Sequence, residues 1–329
     1  MSDNPPLSVS ARRPLGRSAV TVTALSLGTA PLGNLFAAVP DEHAAAVVDA
    51  AFDVGIGYFD TAPHYGVGLA EERLGRALAR RDRGSFTLST KVGRLLRPLR
   101  DGERTDAEGF VDTPPRAREW DFSAAAIRSC LEASLDRLGM DRIDIALLHD
   151  PDEHEREVYE VGYATLAQLR EEGVVGAIGA GMNQSAMLTR FVRDFDLDVV
   201  LCAGRYSLLD QSALADLLPE CERRGTSVVI GGVYNSGLLA NPKPGATFDY
   251  APADAAALKR AQAMAELCDG FGVPLKAAAV QFPLRQPVVA SVLVGCRNEA
   301  EVRENAAAFE QPIPQELWTA LAASGLLAG

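Results

Sequence analysis

A chain of 329 residues, 47% hydrophobic and 23% charged, carries enough apolar material for a large core and too much for a disordered polymer. Its formal net charge of −12 opposes nucleic acid and anionic membrane surfaces, and favours a small-molecule or protein partner. No apolar run approaches the roughly 18 residues of a membrane helix, and the stretch MSDNPPLSVSARRPLG lacks the apolar segment of a signal peptide.

Arg12–Val22 reads as a short hairpin ahead of the first repeat. Strand-like and helix-like patterns then alternate: strand Ala24–Leu27, helix Asp41–Val54, strand Gly57–Phe59, helix Leu69–Ala79, strand Phe86–Thr90, helix Ser123–Leu138. The series continues with strand Ile143–Leu148, helix Val158–Glu171, strand Ala177–Ala180, helix Gln184–Val192, strand Val199–Cys202 and helix Gln211–Arg223. Strand Ser227–Ile230, helix Ala253–Phe271 and strand Ser291–Val294 complete it. Asp41 and Ser123 are read as helix N-caps, and Gly55, Gly139, Gly173 and Gly225 as helix-terminating glycines. Eight strand–helix units imply parallel strands with right-handed crossovers, either closed as a (β/α)8 barrel or open as a doubly wound sheet. Two connections, Val92–Asp121 and Leu238–Pro252, are long enough to serve a site. No repeat, low-complexity tract or linker divides the chain, so residues 1–329 are read as one domain. The five cysteines form no C-x-x-C pair and sit mostly in apolar or helical stretches; they read as reduced buried thiols, and the protein as cytoplasmic.

The informative stretch is Gly57-Tyr58-Phe59-Asp60-Thr61-Ala62-Pro63-His64-Tyr65-Gly66. Asp60 ends the second strand, Tyr65 lies in the loop beyond it, Lys91 ends the third strand and His149 the fourth. In a parallel barrel these carboxyl ends form one face, where active sites assemble. A charge closing an apolar strand needs a partner, and Asp60 and Lys91 supply one another. An ammonium beside Tyr65 is expected to lower the phenol's pKa from about 10, and His149 to orient a substrate oxygen. The set is a proton relay that lacks only a hydride donor or acceptor. His64, Asp150, Asp152 and His154 have no metal-ligand spacing, and no metal is expected. Trp120 and Phe122 either cover the substrate or pack on the following helix; Arg205 either reaches toward substrate or cofactor or forms an ion pair.

In this order and context, Asp60, Tyr65, Lys91 and His149 resemble the catalytic tetrad of the aldo-keto reductase superfamily, over nearly the whole chain from Leu25 to Asn305. The resemblance implies an aldo-keto reductase (β/α)8 barrel spanning about 24–310, with 93–121 and 238–252 as its long loops. It implies Tyr65 as general acid/base and a nicotinamide cofactor held without a Rossmann fingerprint; no G-x-G-x-x-G follows a strand here. Leu148-His149-Asp150-Pro151-Asp152, Gly179–Gln184, Ala203–Asp210 and Gly231–Gly237 look like the family's branch of D-threo-aldose (L-fucose), L-galactose and pyridoxal 4-dehydrogenases.

After the seventh strand, Asn235, Ser236, Gly237 and Leu238 are expected to bring backbone N–H groups to a pyrophosphate. By resemblance Gly295, Arg297, Glu301, Glu304 and Asn305 line the adenosine half, with Arg297 stacking on adenine, and Asp60 serves both relay and cofactor. Glu301 stands where many members place a base that grips a 2′-phosphate, which favours NAD; Arg297 keeps NADP open. Gly181-Met182-Asn183 replaces the family's Ser-Asn pair, leaving Asn183 as candidate for the carboxamide, while Ala203 and Gly231 replace a glutamine and a ring-stacking tyrosine. The expected reaction is oxidation of an aldose at its anomeric C1 hydroxyl to a lactone. Pyridoxal, which forms a cyclic hemiacetal, and general aldehyde reduction are the alternatives. Two further classes are a cofactor-binding regulatory subunit, as in potassium-channel β subunits, and a barrel isomerase or lyase that needs no nicotinamide.

Overall fold

The structure, a computed structural model, describes residues 7–105, 108–249 and 251–327; Met1–Pro6 of the N-terminal stretch read above lie outside them. A hairpin opens the fold, β1 (Arg12–Pro14) antiparallel to β2 (Thr21–Thr23), as the sequence predicts. Eight parallel strands follow: β3 (Leu25–Gly28), β4 (Tyr58–Asp60), β5 (Thr87–Val92), β8 (Ile145–His149), β9 (Ala177–Met182), β10 (Val199–Ala203), β11 (Ser227–Gly231) and β14 (Val289–Gly295). They hydrogen-bond in that order, and β14 pairs back to β3, closing a barrel. The closed alternative is the one realised, with each of the eight predicted runs inside or within a residue or two of a barrel strand.

Strand alternation makes two cores. Leu15 and Val22 of the hairpin join Tyr58, Ile145, Leu147, Val199, Leu201 and Val229 inside the barrel, so the hairpin plugs one end. The outward set, including Phe59, Leu88, Ala146, Leu148, Val200 and Val292, meets the helices. Fully burying each such large side chain contributes roughly 1.5–3 kcal/mol, which is why these strands read as continuous apolar runs.

The outer helices are α1 (Asp41–Asp53), α2 (Leu69–Leu78), α3 (Ala124–Leu138), a short α4 (Glu155–Glu157), α5 (Tyr163–Glu171), α6 (Ser185–Asp194), α7 (Leu217–Arg224), α8 (Ala255–Gly270), α9 (Leu275–Gln281), α10 (Glu299–Glu310) and α11 (Gln315–Ala323). Ser123 caps α3 by accepting from the Ala126 N–H. Asp41 does not cap α1: Pro40 holds that position, and the Asp41 carboxylate is drawn instead to Arg73 Nε at 2.7 Å and Arg76 at 2.9 Å. The long pattern over Val158–Glu171 breaks into a π-helical turn at Val158–Gly162 before α5, and Gln211–Arg223 into a 3-10 turn at Ser212–Leu214 before α7. The first long connection is not all loop, for β6 (Arg94–Pro98) and β7 (Arg116–Trp120) pair as antiparallel strands beside the barrel mouth. In the second long loop, β12 (Thr247–Phe248) and β13 (Ala251–Pro252) pair briefly.

Candidate active site

Asp60, Lys91 and His149 come to one end of the barrel because β4, β5 and β8 are neighbours in register. Lys91 is the penultimate residue of β5, one position inside the expected strand end. Tyr65 arrives by loop, and the loop is pinned by backbone contact. Gly33 packs so close that a Cβ there would lie 2.6 Å from the Tyr65 carbonyl carbon, and Gly66 turns away at φ +63°, a conformation that side chains disfavour.

The polar bonds within this corner close completely around one ammonium. Lys91 Nζ donates to Asp60 Oδ2 at 2.6 Å, to the Thr61 carbonyl at 3.0 Å and to Tyr65 Oη at 2.9 Å. A lysine has three N–H donors, so all are used. The other Asp60 oxygen accepts from Ser89 Oγ at 2.7 Å, and Ser89 also meets the Tyr58 hydroxyl at 3.0 Å. Since Tyr65 Oη accepts from Lys91, its own proton is left to donate elsewhere. Asp60 and Lys91 are 0% and 2% exposed, so the ion pair they form is closed to water. Behind them, buried Glu71 ties Thr90 of β5 to Arg137 of α3.

Burial and charge then oppose one another. Burial pulls the Lys91 ammonium down, but Asp60 and Tyr65 together raise it above its ordinary value, and it stays protonated. The expected lowering of Tyr65 is corrected by the structure: burial pushes the phenol up to about 12, further than Lys91 pulls it down. Burial, then the nearby Arg94 and Lys91 charges, hold His149 well below its usual range, so the ring is neutral. His149 Nδ1 is buried without a hydrogen-bond partner among the described residues, and Nε2 lies 3.5 Å from Asp150 Oδ2. The Tyr65 and His149 rings stand edge to face, centroids 5.9 Å apart. The corner thus presents a phenol O–H and a neutral imidazole to the same space.

From Tyr65 a groove of about 970 Å³ runs across the mouth over β10, β11 and β14 to the start of α10. Asn183, Asn235, Ser236, Gly237, Gly295, Arg297, Glu301, Glu304 and Asn305 all line it. Ala203 and Gly231, paired across β10 and β11, form floor without side chains, and Leu201 and Leu293 are apolar neighbours. The Asn235 Oδ1 is buried and unpartnered among the described residues. A long concave trough that starts at the phenol, with a floor bare of side chains and one orphaned amide oxygen, fits a dinucleotide.

Some expectations are corrected, and the readings left open for Trp120, Phe122 and Arg205 fall to packing and ion pairs. Leu238 is fully buried and outside the groove. Asp60 is sealed beneath Lys91 and does not face the groove, so its part is confined to the relay. The N–H groups of Asn235, Gly237 and Leu238 are consumed by turn bonds to Gly232, Tyr234 and Asn235, so the backbone cradle expected there is not built from them. Trp120, 41% exposed, does not line the groove; Arg94 lies 4.0 Å over its ring and His154 stacks beside it. Phe122 is buried. Arg205 forms ion pairs with Asp210 and Asp249 and bonds the Asn183 carbonyl. The Glu301 carboxylate turns back on its own helix start, accepting from the Arg297 N–H at 2.8 Å.

Three residues went unread in the sequence. Tyr234 lines the groove and donates to Asn305 Oδ1 at 2.7 Å. Lys276 of α9 lines it as well, its Nζ 3.1 Å from Glu304 and 5.9 Å from the Tyr234 ring. Arg94 is buried beside His64 and Asp150; its position three residues past the strand-end lysine was the available signal. Among the described residues no group of three or more His, Cys, Asp or Glu is placed to hold a metal ion, and no helix is long and apolar enough to cross a membrane. The five cysteines are free and buried.

A sequence profile described as Aldo/keto reductase family matches residues 24–325. The chain is 44% identical to a D-threo-aldose 1-dehydrogenase of Pseudomonas sp, over 94% of this chain and 95% of that one. It is 41% identical to a pyridoxal 4-dehydrogenase of Microbacterium luteolum, over 98% and 99% of the two chains. Among solved structures, an aldo-keto reductase from Bacillus halodurans in its holo form superposes with a TM-score of 0.77 at 26% identity, covering 97% of each chain.

Proposed function

The chain belongs to the aldo/keto reductase family and is an NAD(P)-dependent oxidoreductase; from that premise we propose that it oxidises the anomeric C1 hydroxyl of an aldose to a lactone. The observation that carries the chemistry is the threefold commitment of Lys91, which leaves one proton of Tyr65 free to move. A bound nicotinamide would supply the acceptor for the hydride at C1. Tyr65 Oη takes the C1 hydroxyl proton in its phenolate form, which Lys91 stabilises at 2.9 Å. Asp60 keeps Lys91 charged and fixed, and neutral His149 donates from Nε2 to the reacting oxygen. In the reverse direction the phenol donates. Because burial holds Tyr65 up to about 12, the oxidative rate rises with pH across the neutral and mildly alkaline range.

Asn183 is assigned to the carboxamide, and Asn235, Ser236 and Gly237 to the middle of the cofactor through side chain and surface rather than through the turn-bound N–H groups. Lys276 supplies positive charge along the groove, and Gly295, Arg297, Glu304 and Asn305 surround its adenosine end. The carboxylate of Glu301, already on the α10 N-terminus, repels a 2′-phosphate and supports NAD over NADP. The buried free thiols suit a reducing compartment, and we place the protein in the cytoplasm as one domain acting on a small molecule.

Similarity to a pyridoxal 4-dehydrogenase supports the second reading, in which a pyridoxal hemiacetal presents the same C–H and O–H. A spectrophotometric screen of L-fucose, L-galactose, D-arabinose and pyridoxal with NAD and with NADP decides between them. Reduced-cofactor absorbance with an aldose supports the proposal; turnover confined to pyridoxal replaces it.

A further inference from the structure

A polar pair beside the relay has no task in proton or hydride transfer. Asp150 follows β8 directly and adopts φ +39°, left-handed for a residue with a side chain, while its N–H bonds the Gly181 carbonyl at 3.0 Å. That backbone holds its carboxylate at the mouth. Oδ2 accepts from Arg94 Nη2 at 2.6 Å and lies 3.5 Å from His149 Nε2, the group that meets the reacting oxygen. Oδ1 accepts no hydrogen bond among the described residues.

Arg94 is built to hold this carboxylate. Its side chain is 8% exposed, its Nη1 meets His64 Nδ1 at 2.9 Å, and the Trp120 ring covers it at 4.0 Å. Left-handed backbone and a buried guanidinium tied to a carboxylate that is 31% exposed both cost stability, so a site that only reduced bare aldehydes would be better served by apolar walls. The carboxylate lies beside the imidazole that meets the reacting oxygen, and its second oxygen, open to solvent, can receive a hydroxyl one carbon further along the substrate.

We propose that Asp150, held by Arg94, is a specificity-determining residue that accepts a hydrogen bond from the hydroxyl neighbouring the reacting carbon. The substrate class is therefore hydroxyaldehydes and their cyclic hemiacetals. The inference rests on the dehydrogenase reading above and narrows it. An analogue lacking the hydroxyl forgoes that bond, a loss that sites built to hydrogen-bond a substrate hydroxyl penalise heavily.

Two aldehydes of equal chain length test it, glyceraldehyde with hydroxyls and propanal without, each reduced with NADH or NADPH. The wild type is expected to prefer glyceraldehyde in kcat/KM, and Asp150→Ala to lose roughly tenfold or more of that preference. Asp150→Asn keeps an acceptor and the ion-pair partner's shape, so it retains an intermediate preference and guards against a variant that fails to fold. A wild type without preference, or a ratio unchanged in both variants, overturns the proposal. A wild type that reduces neither aldehyde and oxidises no sugar overturns the dehydrogenase reading and this inference with it, an outcome visible before any variant is made.

Discussion

The two halves of the barrel mouth are built on opposite plans. On the β4, β5 and β8 side, charge is buried and paired, with Lys91 spending all three protons on Asp60, Thr61 and Tyr65. On the β10, β11 and β14 side the wall is Ala203, Gly231 and Gly295, and the cavity is open. The first half fixes protons in place; the second makes room. Changes in the first should therefore strike turnover, and changes in the second should strike affinity.

The largest effect is expected from Tyr65→Phe. Removing the hydroxyl that accepts from Lys91 should lower turnover by about 10² or more with cofactor affinity retained. Fluorescence titration with cofactor and steady-state rates separate the two quantities. Equal loss of both would erase the distinction between the halves.

The groove side is probed by Glu301→Arg, expected to move the NADP-to-NAD preference by roughly tenfold, the scale of one charge-assisted contact. An unchanged ratio of kcat/KM values removes Glu301 as the discriminator. Lys276→Met should weaken cofactor binding by a few-fold to roughly tenfold, with kcat at saturating cofactor little altered, because the exposed Glu304 contact screens part of its charge. Calorimetric titration measures this; a fall in kcat with unchanged affinity would assign Lys276 to the wrong half.

The remaining effect concerns stability rather than turnover or affinity. Burial, then Arg94, holds His64 down at about 2, and burial holds His149 well below its usual range. In the unfolded chain both take protons as pH falls through about 6.5, and the folded rings do not. Stability is then full above that pH and lost below it, by up to roughly 1.4 kcal/mol per pH unit for each ring. Melting curves between pH 7.5 and pH 5 should show it (values chosen to span about 6.5), and His64→Gln should flatten the slope. A wild-type Tm independent of pH would show that these rings titrate freely.

The same contrast explains what the sequence made legible. The corner announces itself, because Asp60, Lys91 and His149 each interrupt an apolar barrel strand at its carboxyl end, where only a partnered charge is tolerated. Its magnitudes were hidden: spacing shows that Lys91 lies near Tyr65, but only burial shows which of the two opposing effects prevails. The groove is made of missing side chains, and Ala203 or Gly231 in a strand gives no local sign of what lies over it. The turn at Asn235–Leu238 looked like a phosphate cradle because its residues are small, yet the N–H groups of Asn235, Gly237 and Leu238 are taken by turn bonds. The hairpin of β6 and β7 escaped for another reason. Arg94-Leu95-Leu96-Arg97-Pro98 has weak strand character, and its order comes from pairing with residues some twenty positions away. Arg94 and its hold on Asp150 were lost with it.

The central claim is that the Lys91 ammonium governs the charge on Tyr65, and the pH profile of sugar oxidation tests it most directly. Wild type and Lys91→Met would be compared in single-turnover oxidation at saturating sugar and cofactor, with the variant's fold checked by cofactor binding. The account predicts that the wild-type rate climbs with pH, and that the variant's climb moves by about one pH unit or more to the alkaline side, since a lost ammonium no longer stabilises the phenolate. Superimposable profiles would contradict it.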